Sequence, residues 1–517
     1  MLSGMKLLCS FAVALALAGS LVVRAQGRPE PDVDRVFAKW SSTTPGCAVG
    51  VATAGKPALA KGYGMADLEH DAPITPETIF EAGSVSKQFT AAAVLLLARE
   101  AKLSLDDPVR KYIPELPDYG GPLTIRHMLN HTSGLRDWGS VAAIGGWPRT
   151  TRVHTHAHVL EIVSHQRALN FPSGTQWSYS NTGFNLAAIV VQRVSGLPFP
   201  EFTKQRLFQP LGMTHTSWRD DYTRIVQGRA IAYSTGPDGF RTNMPFENVY
   251  GNGGLLTTVG DLLKWNENFT EHKVGDAALA VEQQTPGKFN DGRPHGYGLG
   301  LYIGKYKGLN EVDHSGTTAG YSAFLTRFPD QHLSVAVLCN VSTNATQLAH
   351  AVADLYLGDR VKPTMTTPSM VGADAAGLYR STTTGLALSI AKDKEGWPGN
   401  RTWTFETKDS ARATNEFGTI EQYVRVAPAK PTAQDFVAYE GAYASVEAET
   451  EMTAAVAGGI LVLKQRPGTI VTLTPTYADA FNATSLGTII FRRDSTGRVN
   501  GFSVVQDRVW DMTFSRR

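Results

Sequence analysis

A chain of 517 residues is longer than one hydrophobic core ordinarily fills, and it predicts about two or three domains. With 42% apolar and 19% charged residues the composition excludes wholesale disorder, and a formal charge of +2 without a basic block excludes a nucleic-acid footprint. Three cysteines, Cys9, Cys47 and Cys339, are too few for a disulfide-rich scaffold or a cysteine zinc centre.

Residues 1–25 read as a secretory signal peptide. Lys6 supplies the positive start, residues 7–23 are largely apolar, and Val23-Arg24-Ala25 offers a small-residue cleavage site before Gln26. An uncleaved anchor is the other reading of so long an apolar run. Cleavage takes away Lys6 and Arg24 and no acidic residue, so the mature chain is formally neutral and keeps Cys47 and Cys339. The expected location is periplasmic or secreted.

Residues 47–52 and 58–63 flank a Gly55-Lys56 turn and predict a β-hairpin. Residues 88–97 are apolar on nearly all sides, which predicts a central buried helix rather than a surface one. Ser84 falls at the N-terminal end of that helix, where backbone N–H groups and the positive dipole end favour developing negative charge. A turn over residues 171–175 leads into a loop over 177–183 and then an apolar helix. Residues 314–329 and 333–341 alternate as strands, and a last helix follows over roughly 345–357. Strands at both ends of a helix-rich region imply one mixed sheet on which the two ends meet.

Residues 26–360 therefore read as one catalytic-type domain, and 361–374, rich in Pro and Thr, as a linker. From 375 to 517 the texture is short and alternating, which predicts a C-terminal antiparallel β-domain, a small lipocalin-like barrel. Within it Gly377-Leu378-Tyr379 and Gly441-Ala442-Tyr443 form a weak repeat marking strand starts. The β-domain is expected to be separable from residues 26–360.

Three short signatures follow one another: Ser84-Val85-Ser86-Lys87, then Tyr179-Ser180-Asn181, then His314-Ser315-Gly316. A serine hydroxyl needs a base within hydrogen-bond reach, and a lysine three residues along a helix faces the same way. That lysine serves only when neutral, a state that burial and a nearby charge can produce. In this order and spacing the motifs resemble the serine hydrolases of the class C β-lactamase and D,D-peptidase type, a group that also contains esterases and D-aminopeptidases. Further stretches extend the resemblance over about residues 35–357, among them 123–135, Leu211-Gly212-Met213 and 253–258.

The resemblance implies an α/β fold: a β-lactamase/transpeptidase-like mixed sheet flanked by helices, with an all-helical subdomain. It implies Ser84 as nucleophile, Lys87 and Tyr179 as proton carriers, and Asn181, His314, Gly316 and Thr317 as substrate-binding positions. The oxyanion donors would be the backbone N–H groups of Ser84 and Thr317. His314 stands where class C β-lactamases carry lysine, which favours an esterase or a D-amino-acid or cell-wall-type peptidase. A class C β-lactamase and a penicillin-binding sensor with little turnover are the alternatives. In the family's sheet the strand of Cys47 runs antiparallel to the strand of Cys339; an oxidising compartment then permits a bridge, and two buried free thiols are the other reading.

No cofactor, metal or nucleic acid is called for, and the expected partner is a small-molecule or peptide substrate, cell-wall-derived ones included. His127 and His131 are four apart but lack the glutamate of a zinc-protease helix, and His154, His156 and His158 have no Asp or Cys nearby, so all five read as structural. The residues set no oligomeric state.

Overall fold

The computed structural model describes residues 32–362, 375–391, 401–415 and 417–517, so the leader and most of the linker lie outside the described residues. The predicted hairpin is present as β1 (Cys47–Thr53) and β2 (Lys56–Tyr63), and the predicted buried helix as α1 (Ser86–Arg99), preceded by a 3-10 turn over Gly83–Val85. Then come α2 (Asn181–Ser195), α3 (Val259–Glu271), the strands β3 (Tyr302–Tyr306), β4 (Leu309–Thr318), β5 (Tyr321–Phe328) and β6 (Leu333–Cys339), and α4 (Ala345–Leu357).

These strands form one six-stranded sheet in the order β3-β4-β5-β6-β1-β2. The sheet expected to be mixed is antiparallel in every pairing. Its first and last strands in sequence, β1 and β6, are neighbours, which is how the two ends of the region meet. The near-continuous apolar run of β1 follows from burial on both faces. Cys47, Val49 and Val51 pack with Ala349 and Val352 of α4, whereas Ala48 and Ala52 belong to the larger core that includes Val259 and Leu263 of α3. Gly50 on that second face lets the helix come close, since a Cβ there would lie 3.0 Å from Leu263 Cδ1.

Cys47 stands directly opposite Cys339 across β1 and β6, and the two are joined by a disulfide with a Cα separation of 4.0 Å. Of the two readings open at the sequence level, the bridge is the one present.

Helix α1 is buried from Ser86 to Leu97, packed by α2 and, through Phe89 and Trp265 at 4.3 Å between rings, by α3. A single sheet cannot enclose a helix on all sides. The region between β2 and β3 supplies the remaining walls; expected to be all-helical, it is helix-rich but also carries short strands such as Phe80–Glu81, Ser217–Trp218 and Leu255–Thr257, paired in a small sheet.

The region after the linker holds two β-units where one was expected. The first is a five-stranded open sheet of β7 (Gly377–Ser381), β8 (Ala387–Ile390), β9 (Thr402–Thr407), β10 (Ser410–Thr414) and β11 (Ile420–Val426). The second is a closed eight-stranded barrel, β12 (Gly441–Ser445), β13 (Thr450–Ala457), β14 (Ile460–Gln465), β15 (Thr469–Pro475), β16 (Ala480–Ala483), β17 (Gly487–Arg493), β18 (Val499–Gln506) and β19 (Val509–Arg516). The weak Gly-x-Tyr repeat marks the first strand of each unit. Both tyrosines are fully buried and donate to the carbonyl four residues upstream, Tyr379 to Ala375 O at 3.1 Å and Tyr443 to Tyr439 O at 2.7 Å. Each glycine also makes room for an arginine: a Cβ would meet Arg425 Nη1 at 2.6 Å over Gly377, and Arg516 Nε at 3.0 Å over Gly441.

Candidate active site

The turn Gly83–Val85 presents Ser84 at the head of α1. Gly83 adopts φ 52°, and a Cβ on it would fall 2.6 Å from Thr317 N; on Gly316 a Cβ would fall 2.0 Å from Ala82 O and 3.0 Å from Ser84 N. Two glycines thus let the backbone of β4 lie against the serine turn, and the segments carrying Ser84 N and Thr317 N face each other. Strand β3 pairs with β4 only as far as Asp313, so residues 314–318 form a free edge on that side. Ser86 fixes the turn from within, donating to Gly83 O at 2.5 Å and accepting from Leu255 N at 3.1 Å.

Lys87 lies one turn along α1 and is fully buried. Its Nζ is 2.9 Å from Asn181 Oδ1, 2.7 Å from Asn252 O and 3.0 Å from Ser84 Oγ. Two of those partners are carbonyl oxygens that can only accept, so they take two N–H groups of the amine. The third position faces the hydroxyl: a charged Lys87 donates to Ser84 Oγ, and a neutral one presents its lone pair there. Burial first, and the Arg508 charge second, hold the Lys87 pKa well below the ordinary lysine value, which favours the neutral form.

Tyr179 also hydrogen-bonds Ser84, and its ring centroid is 4.8 Å from Lys87 Nζ. Burial raises its phenol above the ordinary tyrosine value, against the opposing effects of the Ser84 bond and Arg508. The loop of Tyr179 and Asn181 is held from below. Asp137 accepts from Asn181 N at 2.9 Å, and His131 accepts from Ser180 N at 3.2 Å while its ring packs 4.2 Å from that of Tyr179.

His314 lines the cleft, yet both its ring nitrogens are engaged. Nδ1 lies 2.6 Å from Ser315 O, which requires the proton there, so Nε2 accepts from Tyr297 Oη at 2.9 Å. Burial, and secondarily Lys87, push its pKa down to about 3, so it stays neutral. His314 thus fastens the β4 edge through both ring nitrogens while its ring lines the cleft. The remaining histidines of the sequence reading have backbone work. His127 and His158 complete capping boxes with Thr124 and Thr155, His154 Nε2 meets Trp147 O at 3.1 Å, and His156 Nε2 meets Tyr250 O at 3.0 Å.

All seven residues singled out from sequence come together: Ser84, Tyr179, Asn181, His314, Gly316 and Thr317 line one cavity of about 310 Å³, with Lys87 bonded beneath it. Sequence reasoning missed Asn252, Arg149, Tyr302 and Arg508, which share the cavity. Asn252 sits one residue before the noted segment 253–258 and is held by Asn185 Nδ2 donating to its Oδ1 at 2.6 Å. Arg508 arrives from the barrel, on the two-residue turn between β18 and β19, and no local pattern around it signals a site.

The family description Beta-lactamase fits residues 33–359. The chain belongs to the beta-lactamase family. Among relatives of this beta-lactamase-family chain, the D-aminopeptidase of Gluconobacter oxydans (strain 621H) is 29% identical over 349 residues, 67% of this chain and 65% of the relative. Penicillin-binding protein 4* of Bacillus subtilis (strain 168) is 28% identical over 296 residues, 54% of this chain and 64% of the relative. The chain thus spans a little under two thirds of the length of these curated relatives. Among solved structures, the octameric penicillin-binding protein homologue from Pyrococcus abyssi shares the fold with a TM-score of 0.57 at 22% identity, over 93% of this chain and 97% of that one.

Proposed function

We propose that this protein is an exported serine hydrolase that cleaves an ester or amide bond of a D-amino-acid or cell-wall-type substrate through an acyl-enzyme on Ser84. The observation that carries the reading is the buried Lys87 amine, 3.0 Å from Ser84 Oγ with two N–H groups taken by carbonyl oxygens. Neutral by burial, it accepts the Ser84 proton as the oxygen attacks the acyl carbon. Tyr179, kept protonated by its raised pKa, donates to the departing group, and the proton on Lys87 then restores the phenol. Charge developing on the carbonyl oxygen falls between the N–H groups of Ser84 and Thr317. Asn181, whose Oδ1 is held by Lys87, turns its amide NH2 to the substrate's acyl side. Water later repeats the attack on the acyl-enzyme with the same proton carriers.

The D-aminopeptidases among the relatives support the substrate class. The neutral, fully engaged His314 supports ester and amide substrates over β-lactams, since it gives no cation where class C β-lactamases carry lysine. Export is supported by the apolar leader and by the Cys47–Cys339 bridge, a bond that persists in oxidising compartments. The test is covalent labelling with a serine-directed fluorophosphonate, followed by hydrolysis of D- and L-amino-acid amides, esters and β-lactams. Ser84→Ala is expected to abolish labelling with an unchanged circular dichroism spectrum; labelling that persists at another serine overturns the assignment.

A further inference from the structure

The cleft holds two guanidinium groups, those of Arg149 and Arg508, and no Asp or Glu side chain lines it. Arg149 is compensated, its Nε donating to Glu247 Oε2 at 2.6 Å. Arg508 is not. Among the described residues its guanidinium has no acidic partner and no hydrogen bond, and its contact is with the face of the Tyr179 ring, 4.7 Å from the centroid.

The backbone beneath that free head is fixed. Gln506 pairs with Val509, so Asp507 and Arg508 form the tip of a tight hairpin. Asp507 O accepts from Ser178 Oγ at 3.3 Å, and Arg508 O accepts from Asp137 N at 3.2 Å and from Asn170 Nδ2 at 3.1 Å. Asn170 Oδ1 in turn accepts from Trp510 N at 2.8 Å. The barrel tip is therefore bonded on both sides of the Tyr179 loop, with the arginine head left over the cleft.

A planar cation held beside the reacting groups, with no ion-pair partner among the described residues, meets a carboxylate with paired N–H bonds and repels an ammonium. Lys87, disfavoured as a cation, does not compete for the anion, and Arg149, the other arginine lining the cleft, is already paired with Glu247. We propose that Arg508 makes the enzyme select substrates that carry a free carboxylate close to the scissile bond over neutral or amine-bearing ones. This rests on the serine-hydrolase reading above and deepens it: the substrate class becomes an anionic D-amino-acid derivative, recognised by the barrel of the same chain rather than by the β4 edge.

The experiment uses the full-length protein and one acetylated D,D-dipeptide in two forms, the free acid and the C-terminal carboxamide. Wild-type kcat/KM is expected to favour the acid by about tenfold or more, the scale of one charge-assisted contact. Arg508→Gln brings the ratio close to one, and Arg508→Lys, a cation without the planar fork, keeps part of it. The ratio is the readout because Arg508 also acts on Lys87, which moves both substrates together. A wild-type ratio near one, or a Gln variant that slows both forms by the same factor, overturns the proposal. A second readout, protection of Ser84 from fluorophosphonate by each form, needs no turnover. Protection by the acid alone without hydrolysis upholds Arg508 and rejects the D-peptidase reading; protection by neither form rejects both.

Discussion

Lys87 is the residue on which the chemistry turns, because a buried amine with two fixed acceptors has one free valence and Ser84 stands at it. It works only when unprotonated. With its pKa held well below the ordinary lysine value, kcat/KM for a neutral ester is expected to rise with pH through that lowered pKa and to level off before the usual lysine range. Burial is the larger cause and Arg508 the second, so Arg508→Gln removes a destabiliser of the ammonium and raises the Lys87 pKa. The rising limb should therefore move to higher pH in the variant. A limb that stays in place, or moves down, would show that Arg508 does not act on Lys87. Ser84 and Lys87 were legible because a three-residue spacing on a helix puts one beside the other, whereas Tyr179 and Asn181 were legible only through the resemblance, since the groups they meet lie far away in the chain. His314 was legible as a position, but what its nitrogens touch was not, since Nε2 meets Tyr297 on the helix-to-strand connection that precedes β3.

At the scale of elements, the site depends on how closely β4 lies against the serine turn. Gly316→Ala puts a methyl 2.0 Å from Ala82 O, a backbone atom with nowhere to go, so β4 must move away from Ser84. The expected result is a loss of about 100-fold or more in kcat, the scale of one oxyanion donor, with fluorophosphonate labelling slowed in proportion. Overpacking of this kind should also cost about 1–3 kcal/mol in urea unfolding. A Gly316→Ala protein with wild-type kcat would mean that the two backbone segments do not act together. Helix α1 and strand β1 were readable because burial on all sides, and burial on both faces, write long apolar runs into a sequence, whereas the largely exposed β2 was readable from the Gly55-Lys56 turn that starts it. The antiparallel pairing of β1 with β6 came from the resemblance rather than from any local pattern, and that the pairings from β3 to β6 are antiparallel too was not legible, since strand partners are set by contacts far apart in the chain. Nor was the division of residues 375–517 into two units, because alternation specifies strands and leaves open whether they close into one barrel or two sheets.

The whole molecule is more tightly joined than a linker between residues 361 and 374 suggests. Arg136, buried at the foot of the Tyr179 loop, bonds Glu447 at 2.5 Å and donates to Trp510 O and Asp511 O, all in the barrel. Val141 and Ile144 of the catalytic region belong to the barrel's own hydrophobic cluster, and Gln465 donates to Ala143 O and Ile144 O at 2.8 Å. Residues 26–360 alone would expose that patch and leave a buried guanidinium with most of its acceptors gone. Glu447→Ala, the milder change, is expected to destabilise the protein by about 3–5 kcal/mol, as for a buried pair with one partner removed. The measurement is the urea midpoint; a shift under about 1 kcal/mol would mean the pair is solvated in solution.

The bond between Cys47 and Cys339 turns 292 residues of separation into a covalent ring that contains Ser84, Lys87, Tyr179, Asn181 and the whole of β4. A protease that cuts that ring once, at any exposed loop, opens it without releasing a fragment. Nicked protein should run as a single band on a non-reducing gel and as two after reduction, still labelled at Ser84. A cut in the linker lies outside the ring and leaves the β-units, Arg508 with them, held only by non-covalent contacts such as Arg136–Glu447, so it gives two bands on the denaturing gel even without reduction.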